Sequence, residues 1–539
     1  MENENNTTPQ NGADQEESPN GRVPRRDFLK GLATLPVFGA FFYGWMKKRS
    51  QDHYQKNEIL SELGLSQEAP AILPNTTMQP ADELIRLGII GFGSRGEELT
   101  RSAGFAPPEW IENAKKAAQR NKLDKRLEDW LQQEDLNIVV TGVCEVFDLR
   151  AEKALAAANN DVRPRGSAGR LPYAKRYRDY REMLQSNDID AVIIATPDHH
   201  HAPITIAAAK AGKHVYCEKG MTRTEDEIES VVEAVKSSGI VFQLGHQYPQ
   251  NACFAKAKEI VAKNLLGKIT LIETTTNRNT PNGAWIRHLD DKGNPKPGSP
   301  ESIDWERWLG SSPRVPFDLD RYYNWTKWWD YGTGLANQLF SHEFDAANQI
   351  LNLGVPQSVV ASGGIYFFKD GREIPDTFQA VLEYPNRDLT FVYSAMLANS
   401  RSRGRVFMGH DGSMEVGGTL TVTVDEDSTR YKNKILAGII DTSLPLFSYR
   451  PGASGLDAIT SASQKYYASR GLIYTYRDGR RVDTAHLHIK EWLNCIRNGG
   501  TPSCHIDKGF EEAVACQMIT KAYREQRRVE WDPVKRRIV

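Results

Sequence analysis

The 539-residue chain holds only six cysteines, at 144, 217, 253, 495, 504 and 516, and no C-x-x-C pair. That scarcity excludes a disulfide scaffold and leaves no structural zinc motif, and no metal site is expected. Charge of one sign is also lacking: 68 Lys and Arg face 69 Asp and Glu, for a formal net charge of −1. No global basic field therefore points to nucleic acid or an anionic membrane surface. Long apolar runs are missing apart from one near the N-terminus, which excludes a polytopic membrane protein. What is present, 40% hydrophobic and 25% charged residues, is an ordinary globular composition. The length favours roughly two to four domains.

Residues 1–24 are polar and read as a disordered leader. Arg25-Arg26-Asp27-Phe28-Leu29-Lys30 and the apolar run Gly31–Met46 then resemble a twin-arginine export signal. The expected location is the periplasm. No A-x-A site follows the run, Lys47-Lys48-Arg49 closes it, and no cysteine stands nearby for lipid attachment. Sixteen residues span about 24 Å as a helix, short of a bilayer core of about 30 Å. Cleavage and retention as an anchor both stay open, and any membrane contact is expected only through this segment. Residues 1–82 thus form leader, signal and linker.

Leu84–Ile90 reads as a strand and runs into Gly91-Phe92-Gly93-Ser94-Arg95-Gly96 before a predicted helix. In this G-x-G-x-x-G pattern Gly91 allows a tight turn, Gly93 lets the backbone approach a pyrophosphate, and Gly96 allows close packing of the helix. Ser94 and Arg95 lie within the same turn. Asn137–Cys144 reads as a second strand ending at Glu145, an acid suited to the ribose hydroxyls of NAD and unsuited to the extra phosphate of NADP. Glu145 lies 49 residues after Gly96, well beyond the usual spacing of about 20. A charged helical insertion near 107–135 accounts for the excess. Arg95 is a competing signal, because an arginine here can reach a 2′-phosphate.

Asp190–Ala195 reads as a further strand, ending in Thr196-Pro197-Asp198-His199-His200-His201. After a helix comes Lys213-His214-Val215-Tyr216-Cys217-Glu218-Lys219. Strand–GFGSRG, strand–CE, strand–TPDHHH and strand–CEK, in this order, resemble the Gfo/Idh/MocA family of NAD(P)-dependent sugar oxidoreductases. The resemblance runs from about 85 to 539. It implies an α/β Rossmann domain, a doubly wound and mostly parallel sheet, at 83–220. An α+β substrate domain with a mostly antiparallel sheet and C-terminal closing helices follows at 221–539. It also implies cofactor contacts from Thr196, Pro197, Asp198, His201, Glu218, Lys219 and His246. Adjacent histidines at 199–201 diverge in a strand or a helix and cannot easily share one ion.

After residue 268 the pattern turns to strands: Lys268–Asn277, Ser358–Phe368, Thr377–Tyr384, Leu389–Leu397 and Arg405–Met408. Few helices separate the last four, so an antiparallel sheet is expected, with one face open to pair two subunits. The segment 322–345 is rich in aromatic and polar residues. Aromatic faces beside hydroxyl, amide and carboxylate groups suit sugar rings, as they also suit a buried aromatic core. Tyr248, Arg278, Trp325, Trp329, Asp330 and Tyr331 are the candidate substrate contacts. Cys144, Cys217, Cys495 and Cys516 read as small apolar core residues. Residues 425–480 have no family counterpart.

Similar family members carry Asp four residues before the histidine that is His342 here. This chain has Gln338, which neither takes nor gives a proton. The family also has Pro after the Glu-Lys pair, where this chain has Gly220. His342 is the expected base, with Lys219 assisting and Gln338 positioning the substrate. Three readings follow. One is an exported oxidoreductase acting on a secondary hydroxyl of a sugar or glycoside, with NAD rather than NADP tightly held. Another is a glycoside hydrolase or lyase that oxidises, eliminates, adds water and re-reduces. The third is a non-catalytic sugar- or nucleotide-binding protein.

Overall fold

The computed structural model describes residues 58–66, 68, 83–163, 173–279, 297–452, 474–477 and 480–539. The leader and the twin-arginine segment lie outside these residues. The chain divides into two units, 1–66 and 67–539. In the first, residues 58–66 contain a short helical stretch closed by Leu63 N–H to Ile59 O (2.9 Å) and Leu65 N–H to Leu60 O (2.8 Å). No helix among the described residues is long and apolar enough to cross a membrane.

The second unit opens with a six-stranded parallel sheet. Its strands are β1 (Ile85–Ile90), β2 (Ile138–Cys144), β3 (Lys175–Tyr177), β4 (Ala191–Ile194), β5 (His214–Cys217) and β6 (Phe242–Leu244), in the order 3-2-1-4-5-6. Strands β2 and β4 are buried at every residue. Such apolar runs without alternation are what a parallel sheet covered on both faces requires. The order reverses between β1 and β4, which opens a crevice at the carboxyl ends of these strands. The long gap between β1 and β2 is filled by helices Pro108–Arg120 and Arg126–Leu131, as the charged insertion predicts.

The expected domain boundary at 220 falls short. Helix Asp226–Ser238 leads to β6, which pairs in parallel with β5, so the first sheet ends only near 244. A distant segment completes its core. Ala485, Ile489, Trp492 and Leu493 of the helix Thr484–Asn498 pack with Leu87, Ile89 and Tyr216, and Trp492 is fully buried.

The second sheet has ten strands: β7 (Ile269–Asn277), β8 (Ser358–Gly364), β9 (Thr377–Tyr384), β10 (Leu389–Met396), β11 (Arg405–Gly409), β12 (Gly412–Val416), β13 (Leu420–Val424), β14 (Phe447–Tyr449), β17 (Val529–Asp532) and β18 (Arg537–Ile538). Between β14 and β17 in the chain, β15 (Tyr474–Arg477) and β16 (Arg480–Asp483) pair as a separate hairpin. The order in the large sheet is 14-13-12-11-7-10-9-8-17-18. Its pairings are antiparallel except β7 with β10. Strand β10 alternates strictly, with Leu389, Phe391, Tyr393 and Ala395 inward. Phe340, just before the helix Ser341–Leu351, meets Phe391 and Tyr393 from the other side. Within 425–480 the described residues include a short helix, Lys432–Leu436, and the edge strand β14.

Trp492 belongs by sequence to the C-terminal half and by packing to the first domain. Trp492→Ala is expected to cost about 3–5 kcal/mol. Chemical denaturation followed through a first-domain probe should show it; a stability change confined to the second domain contradicts the packing.

Candidate active site

The glycine turn is built as its sequence requires. Gly91 has φ +86°, and a Cβ there would stand 2.8 Å from Ala195 O; at Gly96 it would stand 2.2 Å from Gly91 O. At Gly93, by contrast, a Cβ would meet nothing nearer than Arg150 Nη1 at 3.6 Å. The protein's own packing leaves this glycine free, and the open side faces a cavity of about 450 Å³. Gly91, Gly93, Ser94, Arg95, Glu145, Thr196 and Pro197 all line that cavity. Helix Ser94–Ser102 starts at the turn without a side-chain cap, so its first N–H groups are available to an anion. These features fit a dinucleotide.

Glu145 is 5% exposed and accepts from Phe92 N–H (2.6 Å) and Phe147 N–H (3.0 Å). A carboxylate has about four acceptor positions, so capacity for ribose hydroxyls remains. Arg95 turns the other way. It donates to Glu218 Oε1 (2.8 Å) and Gln247 Oε1 (3.1 Å) and pairs with Glu98 (3.0 Å). It is thus committed to the β5 end and away from the ribose acid on β2.

The 196–201 turn holds the two halves together. His199 and His200 both place Nε2 on Trp308 O, at 2.9 and 2.7 Å, and burial pushes the His200 imidazole down to about 4. His201, expected against the cofactor, is 1% exposed, and its two ring nitrogens lie 2.8 Å from Gly220 O and Thr196 O. It braces the turn and has no group left for a ligand. Asp198 is also 1% exposed and accepts from Asn337 Nδ2 (3.0 Å) and Gln338 Nε2 (3.0 and 3.2 Å). Burial raises its carboxyl, against the pull of His201, Lys219 and the two amides.

Asn337 and Gln338 sit on a single π-helical turn, Ala336–Phe340, that feeds the helix of His342. Such turns often re-aim side chains at functional sites. Gln338 Oε1 accepts from Lys219 Nζ at 3.0 Å, so one amide links Lys219 to Asp198. Burial lowers the Lys219 ammonium, while the Asp198 and Glu218 carboxylates pull it back up. Asn337 also explains Gly220: a Cβ at 220 would stand 2.4 Å from Asn337 Cγ. The peptide between Lys219 and Gly220 is cis.

His342 is half-buried at the crevice. Burial, and then the charges of Lys219, His246, Arg95 and Arg278, hold its imidazole well below the usual value. Its ring meets Tyr248 (5.4 Å) and His246 (5.1 Å) edge-on. Tyr248 stacks on Phe254, and Arg405 lies over both rings while binding Glu343 through two contacts of 2.7 and 2.8 Å. His246 was expected at the cofactor, yet it is 0% exposed. Its Nε2 lies 2.5 Å from Glu512, and although burial opposes the charged ring, the Glu512 and Asp345 carboxylates raise it above the ordinary range. It packs against the His342 ring and is closed off from solvent.

The aromatic segment divides in a way its sequence does not reveal. Trp325 lines the dinucleotide cavity. Trp329 packs near Tyr523 under Arg524, at a separate pocket with Arg223 and Gln517. Asp330 pairs with Arg321 (3.5 Å), and Tyr331 is 0% exposed against Trp308 and His199. Of the six substrate candidates only Tyr248 and Arg278 come to His342. Residues missed by sequence include Asn337, Glu343, Arg405 and Glu512; Gly220 in place of proline was the one local sign of Asn337.

Residues 85–246 match the model of the Gfo/Idh/MocA oxidoreductase family's NAD-binding Rossmann fold, and 310–531 match that of its C-terminal alpha/beta domain. The chain carries both domains of the Gfo/Idh/MocA oxidoreductase family. Levoglucosan dehydrogenase of Pseudarthrobacter phenanthrenivorans is 30% identical over 222 residues, 40% of this chain and 49% of that protein. The chain thus matches about half the length of this curated relative. In fold it is similar to a levoglucosan dehydrogenase solved with NADH and levoglucosan (TM-score 0.53, 19% identity, 83% of this chain and 99% of the other). It is likewise similar to an aldose-aldose oxidoreductase from Caulobacter crescentus complexed with glycerol (TM-score 0.52, 16% identity, 83% and 100%).

Against that family pattern, Gln338 and Asp198 form one exchangeable pair. Gln338→Asp alone sets two buried carboxylates side by side and should lower the melting temperature. Asp198→Asn in the same chain should restore it. A double-mutant cycle by thermal melting is expected to give a coupling of about 0.5–3 kcal/mol; strictly additive effects refute the pairing.

Proposed function

We propose that this chain is an NAD-dependent oxidoreductase that oxidises or reduces a secondary hydroxyl of a sugar or glycoside outside the cytoplasm. The observation that carries the reading is the convergence of Lys219, from the end of β5, with His342, from the second domain, both in the field of Arg95, which lines the cavity at the glycine turn. A nicotinamide bound there supplies or accepts the hydride. His342, kept neutral by burial and by the cations around it, takes the hydroxyl proton in the oxidative direction. Lys219, held by Gln338 Oε1 (3.0 Å), orients the same oxygen by exchanging for it one of its longer contacts to Asn337 O (3.3 Å) and Gln338 O (3.5 Å). Gln338 acts by position and carries no proton. Tyr248 and Arg278 flank the sugar side. Glu145 and the outward turn of Arg95 support NAD over NADP.

The export signal and the covered cavity support a cofactor that stays bound, since free dinucleotide is scarce outside the cytoplasm. A resident cofactor has to be recycled in place, either by a second substrate or by re-reduction of the same one. The name of the aldose-aldose oxidoreductase fits the first route. Oxidation at carbon 3 of a glycoside would acidify the carbon 2 proton and permit its loss with the group at carbon 1; addition of water across carbons 1 and 2 and re-reduction at carbon 3 would then give net hydrolysis, which is the second.

Mass spectrometry of the purified protein should find bound dinucleotide, and a glycoside panel should yield keto-sugar or free aglycone. Binding without turnover across the panel would sink the enzymatic reading. His342→Gln is expected to lower kcat/KM by about 10²–10⁴-fold with bound dinucleotide unchanged. Because the base works deprotonated and its value is lowered, the acid limb of the pH–rate profile should fall below about 6.5, the ordinary value for histidine. An acid limb above neutrality contradicts the assignment. Replacing Arg25 and Arg26 by Lys should leave the protein in the cytoplasmic fraction; unaltered export argues against the twin-arginine route.

A further inference from the structure

Six arginines line the dinucleotide cavity. Five are neutralised by the protein itself: Arg95 by Glu218 (2.8 Å), Arg178 by Asp148 (3.2 Å), Arg181 by Asp179 (3.4 Å), Arg307 by Asp304, and Arg314 by Glu306 (2.9 Å). Among the described residues Arg150 has no carboxylate within ion-pair distance. The acids in its field are Glu145, each of whose oxygens already accepts one backbone N–H, from Phe92 and Phe147, and, more weakly, Glu97.

Arg150 is nonetheless firmly placed. Its Nη1 donates to Tyr322 Oη at 2.9 Å, and its guanidinium lies 5.0 Å from the Tyr322 ring centre and 5.5 Å from that of Tyr323. Burial keeps the Tyr322 phenol un-ionised, so it offers a dipole and a π-face but no countercharge. Both tyrosines come from the segment 297–331 of the second half, which is tied down over the crevice. Asp148 N–H bonds Ser302 O and Asp304 N–H bonds Val146 O, each at 2.9 Å, and His199 and His200 hold Trp308 O. The nearest neighbour to the free side of Gly93 is Arg150 Nη1 itself.

A half-buried guanidinium with no direct ion pair, facing the glycine at which a pyrophosphate approaches, is placed to take an anion. We propose that Arg150, held by Tyr322 and Tyr323, clamps the pyrophosphate of the bound dinucleotide and that this clamp keeps the cofactor resident. The inference rests on the dinucleotide reading of the cavity and assigns to it a residue that the glycine motif does not include. The helix N-terminus receives the anion from one side and the guanidinium from the other. Since the tyrosines belong to the second half, the clamp exists only where the segment 297–331 is docked. Release of the cofactor then requires that docking to loosen.

Titration calorimetry of the full-length chain with NADH and with NADPH, paired with thermal melting without ligand, tests this. Arg150→Gln is expected to weaken NADH by about 10–100-fold, the usual range for a lost charge-assisted contact, and NADPH by the same factor. Tyr322→Phe, which keeps the ring and removes the oxygen, should weaken both by a smaller factor and speed NADH release. A lowered melting temperature with unchanged NADH affinity makes Arg150 a structural brace and overturns the clamp. Weakening of NADPH alone assigns it to a 2′-phosphate and overturns it equally. A wild-type chain that carries no dinucleotide by mass spectrometry and also binds neither NADH nor NADPH removes the cofactor reading and the clamp together.

Discussion

A buried carboxylate shared by two amides holds this active site together. Asp198 stands at the end of β4 in the first domain, and Asn337 and Gln338 reach it from the π-helical turn of the second. The same Gln338 fixes the Lys219 ammonium, and the same turn starts the helix of His342. Lys219 and His342, 123 positions apart in sequence, are thus indexed to one carboxylate. Burying an acid this fully is costly unless every oxygen is satisfied, and the two amides supply that satisfaction without adding charge. The geometry that orients substrate is therefore part of the geometry that joins the domains.

Around His342 the structure concentrates positive charge and withholds a direct acid partner. Lys219, His246, Arg95 and Arg278 all act on the ring, and among the described residues Glu512 is spent on His246. The result is an imidazole available as a base below neutrality. Buried ion pairs such as Glu343–Arg405 and His246–Glu512 contribute little net stability against an apolar replacement. Their value lies in orientation, because Arg405 fixes Tyr248 and His246 backs the catalytic ring.

The segment 297–331 forms one wall of the cavity at the Rossmann crevice. It supplies Ile303, Trp308, Tyr322 and Tyr331 to an apolar cluster that also includes Phe147 of the first domain. This accounts for the aromatic richness that sequence alone attributes equally to sugar binding or to core. Trp325 and Tyr322 face the cofactor cavity, Tyr331 fills the cluster, and Trp329 turns outward to another pocket.

The sequence by itself marked the glycine turn, the acid after β2, the strands β1, β2, β4 and β5 of a parallel sheet, and five strands of the mostly antiparallel second sheet. These are legible because they are local: a left-handed φ at Gly91, a clash at Gly96, an apolar run, a period of two. Tertiary structure alone decided that Trp492 completes the first domain, that β6 lies beyond the expected boundary, that His201 and His246 face inward, and that Asn337 occupies the space a residue larger than Gly220 would need. It also chose Tyr322 as the partner of Arg150. The places of Trp492, His246, Asn337 and Tyr322 depend on which surfaces meet when segments more than a hundred residues apart pack together. Residue spacing carries the repeat of a helix or strand, but no record of the neighbour that a buried face will find.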